Sequence, residues 1–291
     1  MSAVPLPVPA APLPGADLAT VLELLAGRTL LALTGAGMST DSGIPDYRGP
    51  GSARRTPMTF SDFVSGPEAR QRYWARSHVG WSRMARAVPN DGHRALAALE
   101  AAGRLRGVVT QNVDGLHEAA GTRSVCALHG RIADVVCLDC RECTSRASLH
   151  ERLAALNPGW SDLDTEVELR PDGDVELAET SGFSVPGCAS CGGVLKPDVV
   201  FFGENVPKPR VERCYAAVDA LDPARDVLLV LGSSLTVMSG FRFVRHATRR
   251  GVPVVVVNRG GTRADDLAVT KLEHGTTPFL TALQAGVSED G

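Results

Sequence analysis

Short, continuously apolar runs separated by helix-forming stretches constrain this chain more than any other feature. Thr29–Thr34, Gly107–Thr110, Val199–Phe202, Val227–Leu231 and Val252–Val257 are strand-sized and show no polar–apolar alternation. A strand apolar on both sides is buried on both faces, the pattern of a parallel sheet covered by helices. Helical stretches lie between these runs. Asp17 is placed to cap one in which Leu18, Val21, Leu22 and Leu25 recur at helical spacing. Pro67 suits the first turn of another, with Tyr73, Trp74, Trp81 and Met84 as its apolar face. A third is expected from about His93 to Ala102, ending at Gly103. The fold class that follows is α/β, a doubly wound parallel sheet.

The 291 residues are 44% hydrophobic and 22% charged, enough apolar material for a large core and too much for a disordered chain. A formal net charge of −3 gives no basic footprint, so nucleic acid is not an expected partner. No apolar run approaches the roughly 18 residues of a membrane helix, so no membrane partner is expected. Residues 1–14, rich in proline and alanine without a charge, read as a flexible tail rather than a targeting peptide. The expected location is cytoplasmic.

Gly35-Ala36-Gly37 follows the first strand directly. Glycines there allow a tight turn and close approach of backbone N–H groups to a pyrophosphate at a positive helix end. Gly43 comes too late for the usual G-x-G-x-x-G spacing, but Pro45, Asp46, Tyr47 and Arg48 extend the loop with an acid, an aromatic ring and a phosphate-binding fork. Cys137-x-x-Cys140 and Cys188-x-x-Cys191 each have the spacing of a zinc knuckle, and four thiolates close a tetrahedral shell of structural type. Cys140-x-x-Cys143 is equally well spaced. Cys126 and Cys214 read as buried thiols. Residues 161–180 hold eight acidic side chains against Arg170 alone, the composition of a solvated loop.

Five ordered motifs together resemble the sirtuins: Gly35-Ala-Gly-x-Ser39-Thr40-x-Ser-Gly-Ile-Pro45-Asp-Tyr-Arg48, Thr110-Gln111-Asn112-Val-Asp114-Gly-Leu-His117, Leu128-His129-Gly130, the cysteine pairs, and Gly232-Ser233-Ser234 with Asn258. Tyr47, Cys-Leu-Asp-Cys and Thr262–Leu267 point within that family to its class II branch. The resemblance implies NAD as co-substrate and one structural zinc on Cys137, Cys140, Cys188 and Cys191. It implies removal of acyl groups from protein lysines, giving nicotinamide and O-acyl-ADP-ribose, with acyl-lysine proteins or peptides as partners. His129 is then the general base, titrating in the range such a step needs, and Gly130 beside it is expected to leave room for a bulky substrate. Asn112 and Asp114 take catalytic and ribose-binding roles. Gly35, Ala36, Gly37, Ser39, Thr40, Pro45, Asp46, Tyr47, Arg48 and Gln111 contribute to cofactor binding. Gly232, Ser233, Ser234, Asn258, Arg259, Gly260 and Thr276 complete that set. His117 is the internal rival of His129, with a supporting role by resemblance.

On the substrate side, Val199, Phe201 and Gly203 lie in a segment resembling the one sirtuins pair with the target backbone, a recognition mode that tolerates varied sequence. Tyr73 and Arg76 share a helix face and resemble the pair with which some sirtuins bind acidic acyl chains. The expected division is a Rossmann-like NAD-binding domain (15–49, 96–136, 196–291), a helical insert (50–95) and a zinc-binding module (137–195). Two alternatives stay open: a mono-ADP-ribosyltransferase on the same NAD site, and a non-catalytic zinc-ribbon adaptor.

Overall fold

The computed structural model describes residues 16–47, 57–160, 175, 177 and 179–289. The amino-terminal tail, Arg48, and every acidic residue of 161–180 except Glu179 lie outside the described residues. In chain order the elements begin with α1 (Leu18–Leu25), β1 (Thr29–Thr34), two 3-10 turns (Ala36–Met38, Thr40–Ser42), α2 (Phe60–Val64), α3 (Pro67–Arg86) and α4 (Asp91–Ala101). Next come β2 (Leu105–Thr110), α5 (Leu116–Ala119), β3 (Val125–Ala127), β4 (Gly130–Cys137), β5 (Cys143–Ser145) and α6 (Arg146–Leu156). The chain closes with β6 (Leu195–Val199), α7 (Lys208–Asp219), β7 (Asp226–Leu231), α8 (Met238–Arg249), β8 (Val254–Val257), β9 (Thr270–Leu272) and α9 (Thr276–Glu289). No described helix is long and apolar enough to cross a membrane.

Six strands form an all-parallel sheet in the order β3-β2-β1-β7-β8-β9. This is the doubly wound arrangement, with the order reversing between β1 and β7. The unbroken apolar runs have the expected cause. Along β1, Leu30 and Ala32 enter a cluster with α1, α4 and α9, while Leu31 and Leu33 enter one with α7 and α8 on the other face. Each fully buried leucine contributes roughly 1.5–3 kcal/mol. Local signals set the ends of several helices: Asp17 accepts from the Thr20 amide at 2.8 Å, Pro67 opens α3, and Asn90 and His93 form a reciprocal cap on α4.

A second, antiparallel sheet has the order β5-β4-β6. Its apolar side meets α2, α3 and α6 in a third cluster built on Phe63, Tyr73, Trp74, Val135, Leu149 and Leu195. Trp74 Nε1 donates to the Leu195 carbonyl at 3.1 Å, joining α3 to β6. The Arg146 guanidinium is wholly buried, 5.3 Å from the ring centre of Trp74 and 4.9 Å from that of Trp81.

Several expectations differ from the structure. The boundaries expected at residues 95, 136 and 195 fall inside α4, β4 and β6. Ala95, Leu96 and Leu99 of α4 pack against the large sheet, and β4 and β6 pair with each other outside it, so these elements cannot be divided there. The strand expected at Val199–Phe202 is instead Leu195–Val199. It lies at a sheet edge, where Pro197, lacking an N–H, is tolerated. Beyond it the Phe201 amide turns to the Glu204 carboxylate (2.8 Å), while Phe202 makes a lone bridge with Thr59.

Candidate active site

A cavity of about 540 Å³ lies where β1, β2, β7 and β8 end, lined there by Gly35, Gln111, Gly232 and Asn258. Open α/β sheets bind ligands at this carboxyl edge, beside the reversal of strand order. The glycines are required by backbone contact across that reversal. A Cβ on Gly35 would stand 2.8 Å from the Gly232 carbonyl oxygen, and one on Gly232, at φ +59°, only 2.6 Å from the Gly37 carbonyl carbon. The Gly37 amide donates to the Gly232 carbonyl (2.9 Å), and Thr276 Oγ1 to the Gly37 carbonyl (3.2 Å). The loop continues as two 3-10 turns, not the regular helix of a dinucleotide fingerprint, because Gly43 enters the left-handed region at φ +81° and ends the winding.

Behind this cradle stands a polar triangle. Ser39 Oγ donates to Asp114 Oδ2 (2.7 Å) and accepts from Asn112 Nδ2 (3.1 Å), which also donates to the Gly35 carbonyl (3.0 Å). Asp114 Oδ1 accepts from the Leu116 amide at 2.9 Å. Burial pushes the Asp114 carboxyl above its usual range, with these hydrogen bonds opposing. Gln111 Nε2 donates to Ser233 Oγ at 2.8 Å, tying the end of β2 to that of β7.

His129 follows β3 and lines the same cavity. Its Nδ1 lies 2.9 Å from the Gln111 carbonyl, which only accepts, so Nδ1 carries the proton. Nε2 is therefore a bare acceptor, meeting the Ser239 hydroxyl at 2.8 Å. Burial lowers the His129 pKa, partly offset by the Gln111 carbonyl, so the ring is neutral at pH 7. A neutral imidazole with Nε2 facing a cavity is ready to take a proton. Gly130 does not make room for substrate: at φ +83° its Cβ would collide with the Asp198 carbonyl, so glycine there lets β4 meet β6.

Residues 35–239 match the Sir2 family. The chain is 54% identical over 266 residues to NAD-dependent protein deacetylase 1 of Mycobacterium avium, covering 90% of this chain and 93% of that protein. The chain belongs to the Sir2 family. NAD-dependent protein deacetylase 1 of Streptomyces coelicolor is also 54% identical, over 92% of this chain and 89% of its own length. A solved Sir2 structure with p53 peptide and NAD+ superposes with a TM-score of 0.73 at 29% identity, covering 94% of this chain and all of that one.

In this sirtuin, Ala36, Gly37, Ser39, Asp46, Tyr47, Asn112 and Asp114 line the cavity, as do Ser233, Ser234, Arg259 and Gly260. Tyr73, Val199, Phe201 and Gly203 line it too. Thr40 and Pro45 face a neighbouring crevice, and Thr276 is buried behind the glycine loop. Arg76 does not line the cavity. Tyr73, three residues before it on the same helix, meets Phe63 and Phe201 at the cavity wall. His117 is buried away from the cavity, 3.0 Å from Thr34 Oγ1. Sequence reasoning missed Ser239 and Arg242 on the first turns of α8, both on the cavity wall. No local motif marks them; their place follows from α8 starting beside His129.

The sirtuin's zinc centre is a separate site. The sulfurs of Cys137, Cys140, Cys188 and Cys191 all lie within 4.8 Å of one another. Cys137–Cys191 and Cys140–Cys188 are 3.6 and 3.8 Å apart, close to the edge of about 3.8 Å of a tetrahedron with Zn–S bonds near 2.3 Å. Each knuckle closes on a left-handed residue, Arg141 at φ 65° and Gly192 at φ 74°, whose amide returns to the Cys137 or Cys188 carbonyl. Cys143 is exposed and outside this group, which removes the spacing ambiguity.

Proposed function

We propose that this sirtuin removes acyl groups from protein lysines at the expense of NAD, with His129 as the general base. The observation that carries the reading is the His129 tautomer: Nδ1–H is committed to the Gln111 carbonyl, and Nε2 accepts in the cavity formed by the glycine loop. Gly35, Gly37 and Gly232 hold backbone close where side chains would fill the space, which suits a pyrophosphate. Ser39, Asn112 and Asp114 offer donors and a carboxylate suited to ribose hydroxyls and an amide. Bound NAD supplies the ribose carbon that receives the acyl oxygen, with nicotinamide leaving. His129 Nε2 takes the ribose hydroxyl proton, and Gln111 keeps the ring in register. Phe201, Phe202 and Tyr73 exclude water from the acyl-lysine side. Val199 and Gly203 would meet the backbone of the modified protein or peptide. The four-cysteine group fits one structural zinc, with no ligand position left open.

Assignment to the class II branch rests on Tyr47, the Cys-Leu-Asp-Cys knuckle and the Thr262–Leu267 stretch. A non-catalytic adaptor would leave the Ser39–Asn112–Asp114 triangle and the His129 tautomer without a role. The test is nicotinamide release from NAD with a panel of acyl-lysine peptides. His129→Ala should lose at least 100-fold in kcat, the lower end of general-base contributions, while the far-UV spectrum is unchanged. Full turnover by that variant would overturn the assignment.

A further inference from the structure

Cys126 and Cys214 stand apart from both the zinc shell and the cavity. Cys126 lies on β3, the edge strand of the large sheet, three residues before His129. Cys214 lies on α7 and is completely buried. Their sulfurs are 2.8 Å apart, although 88 residues separate them in sequence. Cys126 also faces the Arg210 carbonyl at 3.7 Å, and Arg210 is the α7 residue that pairs with Asp198 of β6. The two thiols are unequal. Cys126 is partly exposed, whereas Cys214 has no exposed surface. The Cys214 hydrogen bond, helped by the charges of Arg213, Arg210 and Arg131, holds the Cys126 thiol down to about 7, while the same contact and burial push Cys214 up. A partly exposed, thiolate-prone cysteine beside a buried second thiol is the arrangement of a redox-sensing pair.

We propose that Cys126 and Cys214 form a reversible oxidation site that takes a hydroperoxide and closes to a disulfide tying α7 to β3. The Cys126 thiolate attacks one peroxide oxygen, the O–O bond breaks, and Cys126 becomes a sulfenic acid as the other oxygen leaves as alkoxide or hydroxide, which regains from water the proton that Cys126 gave up and becomes alcohol or water. Cys214 sulfur then attacks Cys126 sulfur, the S–O bond breaks, and the departing hydroxide takes the Cys214 proton to become water. Two thiols are oxidised by two electrons and one peroxide is reduced. A dithiol reductant reverses the step.

The test uses the full-length zinc-loaded protein, exposed to hydrogen peroxide, quenched in acid, unfolded, alkylated and mapped by mass spectrometry. The expected result is a Cys126–Cys214 linked peptide, loss of two hydrogens from the intact mass, and full return on reduction. Zinc content should be unchanged, and Cys143→Ser should give the same link. Alkylation of both thiols after peroxide, a link through Cys143, or a link formed only after zinc loss would overturn the proposal. In Cys214→Ala, which lacks the resolving sulfur, Cys126 sulfenic acid should be trapped by a cyclic dione. An unlabelled Cys126 in that variant would count against the proposed order of attack.

Discussion

At the scale of the residue, the decisive quantity is the proton on His129. Because Nδ1–H is held by a carbonyl, protonation of the ring means protonation at Nε2, the acceptor in the proposed mechanism. Burial holds this pKa below the usual 6.5. A base works in its neutral form, so in the proposed role of His129 activity is present above that pKa and is lost as pH falls through it. The acid limb of kcat/KM for the acyl-peptide should therefore lie below pH 6.5, and a pH–rate profile measures it directly. A limb above 6.5 would mean that another group controls the reaction. His129 was legible in the sequence through Leu128-His129-Gly130, but its tautomer was not, since Gln111 and Ser239 reach it from 18 and 110 residues away.

At the scale of the element, the glycine loop was legible and its neighbour was not. Gly35 and Gly37 announce a tight turn after a strand, yet the reason for Gly232 appears only when the ends of β1 and β7 meet. Gly232→Ala places a Cβ 2.6 Å from backbone atoms at a left-handed φ, a conformation that costs about 1–2 kcal/mol before any clash. We expect at least a tenfold loss of kcat/KM for NAD from the displaced loop, measured by NAD titration. Gly27→Ala, equally left-handed at φ +69° but with nothing within 4 Å of its Cβ, should lose stability alone and keep its kinetics. Equal kinetic losses would show that loop contact is not what matters. The misread strand at Val199–Phe202 has a related cause. A continuous apolar run marks burial, but buried irregular backbone has the same composition when a side chain such as Glu204 satisfies its amide. Of Tyr73 and Arg76, expected to share a helix face, Tyr73 lines the cavity and Arg76 does not.

At the scale of the whole molecule, the buried histidines His78, His93 and His117 link stability to pH, and two of them pack together. The rings of His93, in the cap of α4, and His117, on α5, meet 4.8 Å apart. Burial lowers them to about 3 and about 4 respectively, against 6.5 in the unfolded chain. Between about pH 6.5 and 4 the unfolded state binds more protons, so stability is full above 6.5 and falls as pH drops through this window. At its steepest the loss is about 1.4 kcal/mol per pH unit for each histidine. Urea unfolding at pH 7 and pH 5 should show this slope, and His117→Asn should remove part of it. An unchanged slope would assign acid sensitivity to other groups.

The way Arg146 sits among aromatic rings has an optical consequence. All three tryptophans, Trp74, Trp81 and Trp160, belong to the cluster beneath the zinc-bearing sheet, and the six-stranded sheet contains none. Intrinsic emission is therefore a private channel of that one layer. When a chelator strips the four-cysteine centre, the emission maximum should move to longer wavelength while the far-UV signal of the parallel sheet persists. Simultaneous loss of both signals would mean that the two layers melt as a single cooperative unit.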